Sequence, residues 1–172
     1  GFQVSAGFIV GFDSDSPTIF QRQIDFIQQS GIVTAMVGLL NAPKNTRLYQ
    51  RLKAENRLTT EATGNNTDSS MNFIPKMNYK ELIEGYKKII KNIYTTRPYY
   101  KRLRQALLNY NRHYSKQKKI NLSLLRAFFK SVFIIGILDK GRWSYWKLLI
   151  WTLFNRPGSI IDAITYAVYG YH

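Results

Sequence analysis

The sequence predicts an α/β segment followed by an all-α one: a βαβα unit of two parallel strands and two helices, then a bundle of five helices. Three observations carry this. Residues 4–12 and 32–40 are short, apolar, strand-like runs separated by one helical stretch. From Asn78 onward, apolar residues recur at helical spacing in five blocks. The charge also shifts along the chain. Residues 1–75 hold 6 basic and 6 acidic side chains, whereas residues 76–147 hold 18 basic and 3 acidic, an excess equal to the whole net charge of +15.

The first run is apolar or small apart from Ser5, which suits a strand buried on both faces of a parallel sheet. Gly7 and Gly11 are four residues apart, so a strand continuing through both puts them on one face. Glycine weakens a strand interior, and two on one face suggest close approach of something to that backbone. Asp13, Ser14, Asp15 and Ser16 follow at the carboxyl end, the side on which α/β folds bind ligands. The plainer reading of the same residues is packing glycines and helix-capping acids, since a lone glycine pair is a weak motif.

Ser16 and Pro17 then suit a helix start. Ile19, Phe20, Ile24 and Ile27 form its apolar stripe, and Gly31 suits its C-terminal stop. The second strand, with Gly38 inside it, completes a βαβ unit whose crossover should be right-handed. Asn41 and Lys44 lie in the next turn, on the same rim as Asp13. Asn45 tolerates a left-handed conformation, and Thr46 can cap a helix carrying Leu48, Tyr49 and Leu52. Two parallel strands need neighbours, so a larger sheet or barrel is implied. An exposed parallel edge invites pairing with another copy, and a homodimer through it is expected.

Residues 59–72 are polar and without periodicity, and read as a linker. Asn78 and Glu81 then resemble a capping box. Leu82, Tyr86, Ile89 and Ile93 make the stripe of the first bundle helix. Tyr99, Leu103, Leu107, Tyr110 and Tyr114 make that of the second, with Lys101, Arg102, Arg104 and Arg112 lying off it. Residues 115–119 form a basic turn. Residues 122–138, 143–154 and 159–169 supply three more helices, none apolar over enough length to span a bilayer. The resulting divisions are 1–58, 59–77 and 78–172.

The composition excludes some chemistry. The 172 residues include no cysteine, which rules out disulfides, thiolate zinc sites and iron–sulfur ligation within this chain. The two histidines, His113 and His172, are too far apart in sequence for a legible metal motif. The chain opens on Gly1, enters a strand almost at once and shows no signal-peptide pattern. It is therefore expected to be a piece of a longer, cytoplasmic protein. The basic half admits two binding readings. A nucleic-acid module would show salt-sensitive phosphate contacts, but no reading motif is legible. An interfacial helix is the other, with Trp143, Trp146 and Trp151 near Lys140, Arg142 and Lys147; burial of these aromatics in the bundle core is the plainer account.

At the level of motifs, Gly7-Phe-Ile-Val-Gly11 resembles the Gly-x-Ile-x-Gly strand of radical S-adenosylmethionine enzymes. Asn41-Ala-Pro-Lys-Asn-Thr-Arg-Leu-Tyr49 resembles the Pro-x-Gly-Thr-x-Leu-Tyr turn that follows the next strand in many of them. Phe73-Ile-Pro-Lys-Met77 and Glu84-Gly-Tyr-Lys-Lys-Ile resemble the linker and first helix after the barrel. The nearest likeness is to the subgroup with an N-terminal cobalamin-binding domain and a C-terminal helical domain, often labelled Fe–S oxidoreductases.

The resemblance implies that residues 1–58 end a partial TIM-like barrel. It implies that Gly7, Ile9 and Gly11 lie against the adenine of S-adenosylmethionine, with Asp13, Ser14 and Asn41 on the binding rim. Ser14 stands where the family often has an acid, and Asn45 where it has glycine. The parent would carry a 4Fe–4S cluster and, in a cobalamin-dependent methyltransferase, cobalamin as well. Lacking the cluster cysteines, this piece would be inactive alone, and its first partner would be the rest of the parent chain.

Overall fold

The computed structural model describes residues 4–60, 70–109 and 122–171. The order of elements is β1 (Ser5–Val10), α1 (Ile19–Ser30), β2 (Thr34–Leu39), α2 (Arg47–Ala54), α3 (Tyr79–Tyr94), α4 (Thr96–Asn109), α5 (Leu122–Phe133), α6 (Arg142–Asn155) and α7 (Ile160–Tyr171). The architecture of the described residues is mixed and mostly helical, with one two-stranded sheet, and α3 to α7 lie in the stretches where the periodicity predicts helix, although α3 falls in a different compact unit from α4–α7. The expected Tyr110 and Tyr114 stripe, the 115–119 turn and both histidines lie outside the described residues.

Local sequence explains most element ends. Gly31 closes α1 at φ +71°, and Asn45 enters the left-handed region at φ 68°. The Thr46 hydroxyl accepts the Tyr49 N–H at 3.2 Å and caps α2. Asn56 ends α2 at φ 54°, with Asn56 N–H bonded to Lys53 O (3.1 Å) and Arg57 N–H to Leu52 O (2.9 Å), a Schellman closure. The Asn78 carboxamide accepts the N–H groups of Lys80 and Glu81 and caps α3. The first helix starts at Ile19, later than Pro17 suggests. Ser16 contributes its carbonyl to Ile19 N–H (2.9 Å), while its hydroxyl pairs with that of Thr18.

Contacts divide the chain into two units that interleave along the sequence. One comprises Ala6–Phe26 and Ala35–Asn92. Its core includes Val10, Phe20, Ile24, Leu52, Leu82 and Ile89. Gly85 of α3 is packed so closely on the Phe20 ring that any side chain there would overlap it. The stretch read as a linker is tied down at its far end. Leu58 and Phe73 form an antiparallel bridge, and Met71, Asn72 and Phe73 are buried.

The other unit comprises Gly1–Ser5, Ile27–Thr34 and Ile93–His172. Its core is built from Tyr99, Leu103, Leu107, Tyr145, Leu148 and Leu149, with Ala163 and Ala167 from α7. A π-helical turn, Ile134–Leu138, continues α5. There Trp146 donates its indole N–H to Gly136 O at 2.9 Å. Two expectations are corrected in this unit. Arg102, placed off the apolar stripe by sequence, is fully buried because its guanidinium finds two backbone carbonyls. Trp143 is 70% exposed, not core, because Tyr145, Leu148, Leu149 and Thr152 already fill the inner side of α6.

Candidate functional site

The candidate site is the open face of the sheet formed by β1 and β2. Its register is set beyond the strand ends by Leu40 N–H donating to Val10 O at 2.8 Å. Side chains alternate between two faces. Val10, Ala35 and Val37 are buried on one, where Phe8 meets Phe26 of α1 edge-on at 6.0 Å between ring centres. The other carries Gly7, Ile9, Met36 and Gly38. Ile9 is 46% and Met36 68% exposed, and a Cβ added at Gly7 or Gly38 would meet no atom within 4 Å. Among the described residues the strand is therefore covered on one face only, contrary to the two-sided burial its apolar run suggests.

The register sets Gly7 opposite Met36 and Ile9 opposite Gly38, so two bare lengths of main chain lie diagonally on an apolar face between a methionine and an isoleucine. Such a surface can accept a planar ring at van der Waals distance, with the β-carbons that would hold it off missing. Gly7 and Ile9 belong to this face. Gly38 and Met36 also belong to it and were not singled out from sequence. The signal was there, since residue parity along β2 puts Gly38 on the face of Met36, opposite buried Val37.

Gly11 does not share the face with Gly7. The strand ends at Val10, and Gly11 turns to φ +105°, where a Cβ would come within 3.1 Å of the Met71 methyl and 3.4 Å of Leu82. It is glycine for its backbone conformation and close packing. The turn is held by Asp15, whose carboxylate accepts the N–H groups of Gly11 (2.9 Å) and Phe12 (3.0 Å).

The rim residues are engaged within the fold. Arg57, aimed by the closure of α2, donates to Asp13 Oδ1 at 2.7 Å and Oδ2 at 3.0 Å. Arg51 adds a bond to Oδ2 at 2.9 Å, and Glu55 pairs with the same Arg57 at 2.8 Å. The hydrogen bonds from Arg57 hold the Asp13 carboxyl below its usual range, more than burial raises it, and Asp13 in turn raises Arg57. Ser14 beside it is exposed. The Asn41 carboxamide donates to Ser70 O (3.1 Å) and accepts Asn72 N–H (3.0 Å). Buried Asn72 binds both backbone groups of Ala42, each at 2.8 Å. Asp13 and Asn41 thus brace the loops beyond the strand ends.

The Asp13 cluster gives a pH-dependent prediction. Asp13→Asn is expected to cost about 2 kcal/mol near pH 7, the worth of charge-assisted bonds on a largely covered carboxylate. The folded carboxyl titrates lower than the unfolded one, so its stabilisation is complete above about pH 4 and fades as pH falls through the depressed value. Urea midpoints of the two proteins should converge in acid. A constant gap down to low pH would contradict the pairing.

The chain is similar to known proteins along its whole length. It is 30% identical over 175 residues to an uncharacterized methyltransferase of Synechocystis sp. (strain ATCC 27184 / PCC 6803 / Kazusa), covering 100% of this chain and 33% of that protein. It is 24% identical over 179 residues to the hopanoid C-2 methylase of Rhodopseudomonas palustris (strain TIE-1), again covering 100% of this chain and 33% of the relative. The chain thus spans about a third of the length of these curated relatives. No solved structure matches it. A family model described as a domain of unknown function, DUF4070, matches residues 46–172. With well over half of its length inside that match, the chain belongs to the DUF4070 family.

Proposed function

We propose that this chain is the C-terminal part of a radical S-adenosylmethionine methyltransferase, and that the open face of β1 and β2 lies against the nucleoside of S-adenosylmethionine. The observation that carries the reading is the pair of bare glycines, Gly7 and Gly38, placed diagonally on one uncovered sheet face in a relative of proteins named methyltransferase and methylase. A parallel pair joined by a helix, covered on one side and open on the other, is what the inner wall of a partial TIM-like barrel requires. Residues 1–58 are then the end of that barrel, α3 packs on its helix α1 through Gly85 and Phe20, and α4–α7 form the core of an appended domain.

In this reading the chain positions its cofactor and supplies no catalytic side chain. Gly7 and Gly38 admit the flat ring, Ile9 and Met36 flank it, and Asp13 and Asn41 hold the rim loops in shape. Bound S-adenosylmethionine supplies the transferable methyl group and the reactive sulfonium. The residues present do not fit a 4Fe–4S cluster, which needs thiolates, because the chain has no cysteine. The cluster, and cobalamin where the parent uses it, belong to the rest of the parent chain.

The test is the full-length protein, prepared anaerobically with iron, sulfide and a reductant. It should bind iron and convert S-adenosylmethionine to 5′-deoxyadenosine or S-adenosylhomocysteine. Absence of iron together with absence of both products overturns the reading.

A further inference from the structure

Helix α6 is apolar nearly all round, yet only one side of it is buried. Tyr145, Leu148, Leu149 and Thr152 face the core, while Trp143, Lys147, Ile150 and Phe154 follow one another at four- and three-residue spacing along the exposed side. Trp143 is 70%, Ile150 53% and Phe154 81% exposed. A second stripe runs along α5 and its π-helical turn: Phe129 is 60%, Phe133 58% and Ile137 52% exposed, with Lys130 beside them. The π-helical turn meets α6 where Trp146 donates to the carbonyl of Gly136, the residue before exposed Ile137. A helix that is apolar all round belongs in a core or in contact with lipid. An apolar surface of this kind on two neighbouring helices marks a contact site.

We infer that this α5–α6 face is a docking surface for an anionic lipid bilayer, with the helices lying in the plane of the interface. Charge identifies the occupant. Residues 93–172 carry 14 basic and 2 acidic side chains. Lys147 stands within the α6 stripe, Lys130 within that of α5, and Arg142 and Arg126 at their ends, all exposed. A protein partner packed on these stripes would bury ammonium groups at high desolvation cost. At a bilayer the same lysines extend along apolar surface to lipid phosphates. Trp143 has the amphipathic ring favoured at headgroup depth, and the face combines basic and large apolar side chains as interfacial helices do. The inference does not depend on what binds the open face of the sheet.

The experiment is co-sedimentation of the full-length protein with vesicles of phosphatidylcholine alone or containing phosphatidylglycerol, at low and high salt. Binding should require the anionic lipid and weaken with salt. Lys130→Gln and Lys147→Gln should each lower the partition coefficient roughly fivefold. Trp143→Ala with Phe154→Ala should lower it at least as much. All four sites are exposed, so circular dichroism and thermal midpoints should not change. Equal binding to both vesicle types, or variants that bind as the parent does, overturns the proposal. Two other outcomes also overturn it. A fall in thermal midpoint on Trp143→Ala with no vesicle binding would show the face covered by the protein's own remaining chain. Tight, salt-sensitive retention by RNA that ignores the Trp143 and Phe154 changes, without vesicle binding, would show a nucleic-acid surface.

Discussion

Arg102→Ala is expected to cost about 4 kcal/mol of stability, from a lost buried volume and two stranded carbonyls. The side chain is wholly buried. Its guanidinium donates to Ile93 O, in the last turn of α3, at 2.8 Å, and to Val33 O, just before β2, at 3.3 Å. Tyr99 and Tyr94 place their rings 5.3 and 6.0 Å from it. Burial pulls its pKa below the ordinary arginine value, but the carbonyl at the end of α3, the Val33 carbonyl and two tyrosine ring faces are the surroundings that keep a cation acceptable there. Arg102→Met keeps much of the volume and removes the buried charge, so it should cost less, about 2 kcal/mol, chiefly for the unpaired carbonyls. Urea unfolding of both variants decides. A loss within experimental error for Arg102→Ala would contradict the described burial and bonding.

Phe20→Ala is expected to cost about 3–5 kcal/mol, and Gly85→Leu to recover part of that loss in the Phe20→Ala background. Phe20 is 6% exposed on α1, and its ring occupies the space where a side chain at Gly85 of α3 would stand. Gly85→Leu alone should therefore destabilise by overpacking, about 1–3 kcal/mol, despite the better helix propensity of leucine. With the ring gone, the same leucine fills a cavity. The coupling between the two positions should thus favour the double variant. Simple additivity would show that Phe20 and Gly85 do not meet.

The elements that local chemistry dictates were legible in the sequence. Ile19, Phe20, Ile24 and Ile27 repeat at helical spacing and α1 follows. Asn45, Thr46 and Asn78 each do what their side chains favour at a turn or cap. What escaped were positions decided by a distant partner. Gly11 shares strand parity with Gly7, but the chain has already left the strand, because Asp15 folds the turn back. Arg102 looks solvated on a helical wheel and is buried because carbonyls from two other segments converge on it. Asn72 sits in a polar run without periodicity, and its role depends on pairing with Ala42 thirty residues earlier. Trp143 reads as core by its type, and is outside because its neighbours in α6 took the inner positions. For the candidate face, motif resemblance named Gly7 and Ile9 on β1, while Gly38 and Met36 follow from residue parity along β2 once that strand is paired with β1.

The most direct test of the account is equilibrium binding of S-adenosylmethionine to the full-length protein carrying Gly7→Val. The site of Gly7 is open, and valine suits a strand, so the unfolding free energy should stay within about 0.5 kcal/mol of the parent's. The added methyl groups would stand where the planar ring must lie, and affinity should fall about a hundredfold. Unchanged affinity in the folded variant would contradict the placement of the nucleoside on the open face of β1 and β2.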